Sequence, residues 1–554
     1  NPFGGSFIFT NNGTYIRNQV GTTYIDATFD NTGTVNVLQG DIQIRNGGTT
    51  SSTGSINASS GTTVKFTNGY NVDNGASLTG AGDFEISGGS VTINGTIAAD
   101  TFTQSGGTLD GTNIIAKTYN WSNGDWDTDS AGPTTTIAST GTLNINTTNS
   151  HDFKKRGIIN QGIVNWNLGS FRGGLGSSFT NASGATFNDL HTGNHTIDNP
   201  FGGSFIFTNN GTYIRNQTGT SFIDAVFDNT GAVNVLQGNI EIREAGTTSS
   251  TGSINASSGT TVKFTDGYTV DNGASLTGAG DIEIAGGTVT INGTIAAENI
   301  NQTGGVFDGT NTIANTFNWT GGSWNTASTG PTTTISSTGI LNISTASSHD
   351  LQKRGVTNEG TINWTGGSIR GGNGSTITNA TGGTFNDLHT GNLTFANAFG
   401  GSYIFTNNGT YIRNQTGTTT FSSVFDNTGT VNVLQGDIVI GEGGTTSSTG
   451  SINASSGTNV SFSDGYTVDN GSSLTGAGIF KITGGTVTVN GTIAADTVTQ
   501  TGGTFDGTNT IGKTFNWSGG SWSTASTGPT TTVSLSWPRF FRSGSDLANR
   551  RSWS

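Results

Sequence analysis

The chain has 554 residues, including 90 Gly but no Cys or Met, and only 10% are charged, against about a quarter in an average globular protein. The lack of cysteine excludes disulfides and thiolate metal sites, and a net charge of −14 spread thinly along the chain argues against a nucleic-acid partner. No segment approaches the roughly 20 apolar residues of a membrane-spanning helix. The 31 Phe, the 10 Trp and the alternating Val, Ile and Thr favour an ordered all-β chain over disorder.

The chain is built from copies of one long repeat. The nine residues NNGTYIRNQ begin at Asn11, Asn209 and Asn407, which sets a period of 198 residues. Residues 1–198 form copy one, 199–396 form copy two, and 397–533 form a truncated copy three. Residues 534–554 are a tail outside the repeat. The sequence begins inside a repeat and lacks Met, so we interpret it as a fragment or a processed form.

A shorter period runs through each copy. An Asn or Ser, a Gly, a small polar residue and alternating apolar residues recur about every 22 residues, nine times per copy. In copy one the glycines of this pattern are Gly13, Gly33, Gly54, Gly75, Gly95, Gly111, Gly141, Gly162 and Gly184. The period predicts a β-solenoid of stacked coils, with glycine supplying the positive φ that each turn needs. At about 4.8 Å per coil, the chain would form an elongated rod on the order of 120 Å long.

Side-chain parity predicts which residues point inward. In GDIQIR, Ile42 and Ile44 share one parity and are predicted to be in the core. The intervening Gln43 becomes Glu241 in copy two and Val439 in copy three, as expected for a position that faces solvent.

The opening nonapeptide is predicted to be mainly a structural motif. Asn12 and Gly13 should form a turn, and Tyr15 should join the stack. Three arginines share the parity of this tyrosine, and their orientation is left open: Arg17, Arg215 and Arg413.

Two short segments suggest ligands only superficially. DWDTDSAG spaces three carboxylates like a calcium loop, at Asp125, Asp127 and Asp129. The bidentate Glu is missing and copy two has Ser323, Asn325 and Ala327 instead, so we interpret the segment as a solvated turn. The threonines at 134–136 recur once per copy, not once per coil, so we predict no threonine array of the ice-binding kind.

Two histidine-containing segments are interpreted without a metal. His191 and His195 lie four residues apart across a glycine, and copy two has His389 but Leu393. Helical metal-ligand spacing is not expected through such a turn, so we predict ordinary surface histidines.

The densest charge cluster is SHDFKKRG in copy one and SHDLQKRG in copy two. We interpret it as a solvated loop with a local ion pair; the alternative is a site for an anionic glycan. Adjacent Ser, His and Asp do not imply a catalytic triad, whose members converge from separate segments. The residues are His151, Asp152, Lys155 and Arg156, then His349, Asp350, Lys353 and Arg354.

The tail departs from the repeat pattern. Four arginines stand among aromatic residues in LSWPRFFRSGSDLANRRSWS: Arg539, Arg542, Arg550 and Arg551. A subunit-docking segment, a cap and a reading-frame artefact all remain open interpretations. Because the terminal coils of a solenoid expose unpaired strand edges, we expect either that further repeats precede this sequence in the natural protein or that another subunit stacks on its end, and the second option would give end-to-end self-association into a fibre.

The repeats resemble those of a known class of protein. FDNTGTVNVLQGDIQI, SINASSGTTVKF and GASLTGAGDFEISGGSVTINGTIAA are similar to the repeats of secreted bacterial surface proteins of the filamentous-haemagglutinin-like and autotransporter-adhesin kind. The resemblance covers residues 1 to about 533. It implies a right-handed parallel β-helix, export from the cell, and a role in adhesion or in a surface fibre.

The functional prediction is a non-enzymatic rod, either an adhesin stalk or a subunit of a surface fibre, located outside the cell or on its surface. No catalytic residue, cofactor or metal site is predicted. A surface glycan is a candidate partner. The alternative function is that of a β-helix protein that binds or cleaves polysaccharides.

Overall fold

The computed structural model describes residues 6–127, 132–326, 330–522 and 528–534. These residues form 66 β-strands, with no α-helix among them. The chain divides into two compact units, Asn1–Ser375 and Thr376–Ser554, each described by itself below. Asp129, Ala327 and the arginines of the tail lie outside the described residues.

The strands are short, and copy two illustrates their pattern. Most contain three to five residues, and in copy two one to six residues separate consecutive strands. The strands of copy two are Phe205–Asn209, Thr212–Ile223, Val226–Asn229, Ala232–Ile242, Gly246–Thr248, Ser253–Ala256, Thr261–Phe264, Tyr268–Val270, Ser275–Thr277, Asp281–Ile284, Thr288–Ile291, Gly293–Ile295, Asn299–Gln302, Val306–Asp308, Asn311–Ile313, Thr316–Trp319, Ser323–Asn325, Thr332–Ile335, Ile340–Ile343, His349–Gln352, Gly355–Asn358, Thr361–Trp364, Ile369–Gly371, Ser375–Asn379, Thr384–Asp387 and Leu393–Asn397.

All the described pairings are parallel and join each strand to its equivalent in the next coil. In the first unit Val35 pairs with Ile56, which pairs with Leu78. In the second unit Val431 pairs with Ile452 in the same way. The spacing between coils averages about 21 residues. The predicted all-β solenoid is therefore confirmed, with a period close to the 22 residues expected from sequence.

The 198-residue copy does not contain a whole number of coils. In the first unit, nine successive pairings that start at Val35 end at Asn229. The repeat counterpart of Val35 is Val233, which lies on the next strand along the chain, Ala232–Ile242. Within this unit, copy two is therefore rotated by one strand position relative to copy one.

The core is a narrow apolar column, as the parity argument predicts. Ile42 and Ile44 are buried, and Gln43 between them lies at the surface side of its strand. The same alternation holds at Ile240 and Ile242 in copy two. Burial of such side chains contributes about 1.5–3 kcal/mol each, and the parallel backbone ladder satisfies the polar groups of so polar a chain.

Buried asparagines extend this column with hydrogen bonds. In the first unit each carboxamide donates through Nδ2 to the Oδ1 of the next, at 2.7–2.8 Å. The asparagines, all fully buried, are Asn160, Asn181, Asn209 and Asn229. A second ladder on the outer face joins Asn144, Asn165 and Asn188 at 2.9 Å.

Glycine serves the turns in two ways, only one of which was predicted. Gly75 and Gly184 have positive φ values of 97° and 82°, as expected. Gly33 does not; a Cβ placed there would lie 2.0 Å from the carbonyl oxygen of Gly13 in the preceding coil. The prediction of positive φ is wrong for five of the nine glycines: Gly13, Gly33, Gly54, Gly141 and Gly162. At Gly33 glycine is required because successive turns stack so closely that a side chain would not fit, and not because of its φ angle.

Within the part of the chain that the structure describes, no helix has the length and apolar character needed to cross a membrane.

Candidate functional site

The junction between copies one and two contains a buried polar cluster. Strand Thr186–Asp189, near the end of copy one, pairs with the long strand Thr212–Ile223, near the start of copy two. This register places Asp189 opposite Arg215. Both side chains point into the core, which answers the question left open for Arg215.

The cluster is centred on the carboxylate of Asp189. Tyr213 donates to its Oδ2 at 2.6 Å, and Arg215 Nη1 donates to its Oδ1 at 2.9 Å. The hydroxyl of Ser221 also donates to Oδ2. His191 Nε2 lies 3.0 Å from both the Ser221 hydroxyl and Asp189 Oδ1. All five side chains are completely buried, so we name this set the junction cluster.

The second unit contains the same arrangement. Asp387 accepts from Tyr411 at 2.6 Å and from Arg413 Nη1 at 2.9 Å. His389 Nε2 lies 3.2 Å from Asp387 Oδ1 and 2.9 Å from the hydroxyl of Thr419. Thr419 stands where the first cluster has Ser221. The nonapeptide therefore supplies a tyrosine and an arginine to the junction, besides making a turn.

The junction cluster has the residue types of a catalytic triad without its geometry. In a triad the carboxylate holds one histidine nitrogen and the serine the other. Here Asp189 and Ser221 both contact Nε2 of His191, and the hydroxyl also donates to the carboxylate. The group is sealed in the core, and its charges are paired. Its geometry suits a structural role.

Burial shifts the titration of the second cluster in two opposing directions. It raises the pKa of Asp387 to about 6, against the lowering effect of the Arg413 guanidinium. This carboxyl therefore stabilises the fold below about pH 4, and that contribution is lost as the pH rises through 6. Burial, aided by Arg413, lowers the pKa of His389 to about 4. Its contribution is present above pH 6.5 and lost as the pH falls through 4.

The prediction of surface histidines is wrong for His191 and His389, which are buried. His195 is half-buried, with its ring 4.5 Å from that of His191. The two buried histidines each share the parity of the buried aspartate two residues before, Asp189 or Asp387, and this parity continues the inward face of the strand. Among the described residues, no group of three or more His, Cys, Asp or Glu is placed to hold a metal ion.

The charge cluster of copy one is not a solvated loop, so that interpretation is also wrong. His151–Lys154 is a strand, and His151 is buried with Nε2 donating to the carbonyl oxygen of Trp121 at 3.0 Å. Asp152 forms a bidentate ion pair with Arg172 at 2.7 and 2.8 Å.

Arg156 lies inside the core and not on a shared anion-binding surface. It is fully buried and donates through Nε to the hydroxyl of Thr135 at 2.9 Å. Arg354 makes the equivalent contact to Thr333 in copy two. Lys155, beside Arg156, takes a positive φ of 55° at the turn. The cluster is thus divided between the core and the surface.

The carboxylates of the calcium-like segment have other partners. Asp127 Oδ2 accepts from Lys154 Nζ at 2.8 Å. Burial raises the pKa of Asp125, with repulsion from Asp127 as a further cause. The third carboxylate, Asp129, lies outside the described residues.

Protonation of buried histidine gives the first testable expectation. Burial lowers the pKa of His151 to about 4 from an ordinary value of 6.5. Because the unfolded chain takes up this proton first, stability should fall as the pH drops from 6.5 to 4. His151→Gln, which keeps a donor but does not titrate, should lose less melting temperature between pH 7 and pH 4.5 than the unchanged chain. Equal losses in calorimetric scans would contradict this assignment.

A polar groove lies on the outer face of copy two. It has a volume of about 470 Å³. It is lined by Asn272, Asn292, Gly293, Thr294, Thr310, Asn311, Thr312, Thr332 and Thr334. In the second unit a groove of about 300 Å³ is lined by the repeat counterparts: Asn470, Asn490, Gly491, Thr492, Thr508, Asn509, Thr510, Thr530 and Thr532. We name these the copy-two groove and the copy-three groove.

A column of threonines runs through the copy-two groove. Thr294 pairs with Thr312, and Thr312 pairs with Thr334. This is a single column in a concave groove and not a flat array of the ice-binding kind, so the prediction that no such array forms is not contradicted by it. The signal was hidden because each rung comes from a different motif.

No protein-family model matches the chain, and the search of curated proteins found no match. The resemblance to filamentous-haemagglutinin-like and autotransporter-adhesin repeats stays a prediction from the repeat sequences.

Proposed function

We propose that the chain is a structural or adhesive rod that acts outside the cell or on its surface, as an adhesin stalk or as a subunit of a surface fibre. The parallel solenoid and the composition of the repeats support this proposal. A non-enzymatic role and end-to-end association belong to the same proposal.

The recurrence of the junction cluster is the observation that carries the proposal. Asp189 and Arg215 at the first junction correspond to Asp387 and Arg413 at the second, with the same 2.9 Å contact. A copy can therefore be added or removed in steps of 198 residues while the buried charges remain paired. Such a chain is suited to setting a length, because the repeats stack on their neighbours alone.

The rotation of copy two by one strand position relative to copy one affects how the rod presents its surface. Within the first unit, equivalent surface positions of copies one and two lie on adjacent strand positions of the coil, since Val35 leads to Asn229 and not to Val233. A repeated surface feature is thus presented in more than one direction.

Removal of one whole copy tests the proposal. Deletion of residues 199–396 brings the end of copy one onto copy three, so that Asp189 meets Arg413. We expect a folded chain whose melting temperature stays within a few degrees and whose maximum dimension in small-angle scattering falls by roughly a third. On intact producing cells, antibody against the full chain should bind at the outer surface.

The matched control is a deletion out of phase. Removal of residues 199–297 places Ala314 where Arg215 stood and leaves the carboxylate of Asp189 without its guanidinium. This variant should unfold at a clearly lower temperature. Equal stability of the two deletions would contradict the modular role, and antibody that binds only after cell lysis would contradict the location.

A further inference from the structure

The copy-two and copy-three grooves are concave, recurrent and free of charge. Every lining residue is Asn, Thr or Gly. An ionic ligand would find no opposite charge in them, whereas hydroxyl and carboxamide groups both donate and accept hydrogen bonds. The lining thus suits a neutral ligand rich in hydroxyl groups.

The polar groups of the copy-two groove are available to a ligand. Among the described residues, the hydroxyls of Thr294, Thr312 and Thr334 make no hydrogen bond, and these side chains are exposed or half-buried. Asn292 accepts from the backbone N–H of Thr310 through Oδ1 at 3.2 Å. That bond fixes the carboxamide and leaves its NH₂ group free to donate. Thr508 and Asn490 repeat this bond in copy three, also at 3.2 Å.

A buried acceptor without a partner borders each groove. Asn311 is 3% exposed; its Nδ2 donates to the carbonyl oxygen of Ile291 at 3.1 Å, but its Oδ1 has no partner among the described residues. Asn509 repeats this in copy three. A buried acceptor left unpaired costs about 1–3 kcal/mol. Asn113, the counterpart in copy one beside Ile114, has the same buried Oδ1 without a partner among the described residues, so this acceptor is a property of the repeat and the groove proposal rests on the lining hydroxyls and carboxamides.

We propose that the copy-two and copy-three grooves bind neutral oligosaccharide chains. The rungs of the threonine column are about 4.8 Å apart along the solenoid, close to the length of one pyranose unit, so successive sugars can meet successive rungs. No aromatic side chain lines either groove, so affinity at a single groove is weak. The biological role of this site rests on the proposed adhesive function, but the binding chemistry does not.

Copy one provides the natural comparison. Ile114 stands where copy two has Thr312 and copy three has Thr510, and it is 41% exposed. It pairs with Thr96 and Thr136 in the same register. Isoleucine is therefore compatible with this strand position while it removes the central hydroxyl and narrows the site.

The test uses the purified full chain and titration calorimetry with neutral hexasaccharides, namely cellohexaose, xylohexaose and maltohexaose, beside the acidic hexagalacturonate. At least one neutral chain should bind at least tenfold more tightly than hexagalacturonate. The double variant Thr312→Ile/Thr510→Ile should weaken that binding at least tenfold. The control Thr290→Ile/Thr488→Ile changes outward threonines that do not line either groove, and should stay within twofold.

The smaller change Thr312→Val/Thr510→Val removes only the hydroxyls and replaces the isoleucine variant if that protein fails to fold. No binding of any neutral hexasaccharide, equal binding of hexagalacturonate, or full binding by the groove variant would overturn the proposal. Antibody labelling of cells is unaffected by these changes, so a failure here is distinguishable from failure of the proposed location.

Discussion

Arg215→Met is expected to lower the free energy of unfolding at the first junction by about 3–5 kcal/mol. The substitution leaves Asp189 buried without its guanidinium at 2.9 Å, with Tyr213, Ser221 and His191 as its remaining polar neighbours. Solenoid repeats open locally, so the measurement is hydrogen exchange of the amides in Thr186–Asp189 and Thr212–Ile223.

Copy one supplies the matched control for this change. Arg17 is the repeat counterpart of Arg215 and donates to the carbonyl oxygens of Val20 and Gly21 at 3.0 Å, but it meets no carboxylate among the described residues. Arg215 makes the equivalent loop contact, to Thr218 at 2.8 Å, in addition to its bond with Asp189. Arg17→Met should therefore cost no more than about 1–2 kcal/mol.

A double variant separates lost pairing from lost packing. Asp189→Asn combined with Arg215→Met removes both charges and should recover much of the stability, because a buried pair replaced as a whole is often nearly neutral. If Arg215→Met and Arg17→Met lower the protection of their surrounding strand amides from hydrogen exchange by the same amount, the junction cluster adds no stability beyond that of the loop contact.

The fold could be predicted from sequence because the signal was repeated many times. The parity of Ile42 and Ile44 predicted burial, and the structure confirms it. The change from Gln43 to Glu241 to Val439 predicted a position that faces solvent, and these residues lie half-buried on the outer side of their strands. Each coil tests the same pattern again, so errors at single positions do not accumulate.

The buried polar residues were harder to predict, although parity contained the signal. Arg215 shares the parity of Tyr213, and both are in the core. The carboxylate that makes this burial tolerable, Asp189, lies 26 residues earlier in the sequence. Without the pairing of their two strands, a charged residue at an inward position has no visible partner and is taken for a surface residue.

The polar groove was missed because the coils differ in length. Thr294 and Thr312 are 18 residues apart, whereas Thr312 and Thr334 are 22 apart, yet all three stand in one column. A fixed period of 22 residues does not align them. For the same reason the rotation of copy two by one strand position was not visible before the pairing register was known.

Asn181→Ala is expected to destabilise its region by about 2–4 kcal/mol, a large effect for one small side chain. Its Nδ2 donates to Asn209 at 2.7 Å and to the carbonyl oxygen of Thr212 at 3.1 Å, and its Oδ1 accepts from Asn160 at 2.8 Å. All three asparagines are fully buried. Alanine leaves two acceptors and a donor in the core with fewer partners, and water has no ready access there.

Asn165→Ala is the matched control because it removes the same group from the outer ladder. Asn165 donates to Asn144 and accepts from Asn188, both at 2.9 Å, but it is half-buried and solvent can replace those bonds. Its loss should cost about 0.5–1.5 kcal/mol. Amide hydrogen exchange measures both effects against the unchanged chain: in Ser177–Asn181 for Asn181→Ala and in Ile163–Trp166 for Asn165→Ala. A cost for Asn181→Ala no larger than that for Asn165→Ala would show that the buried ladder is hydrated, and would remove the reason for its asparagines to lie in the core.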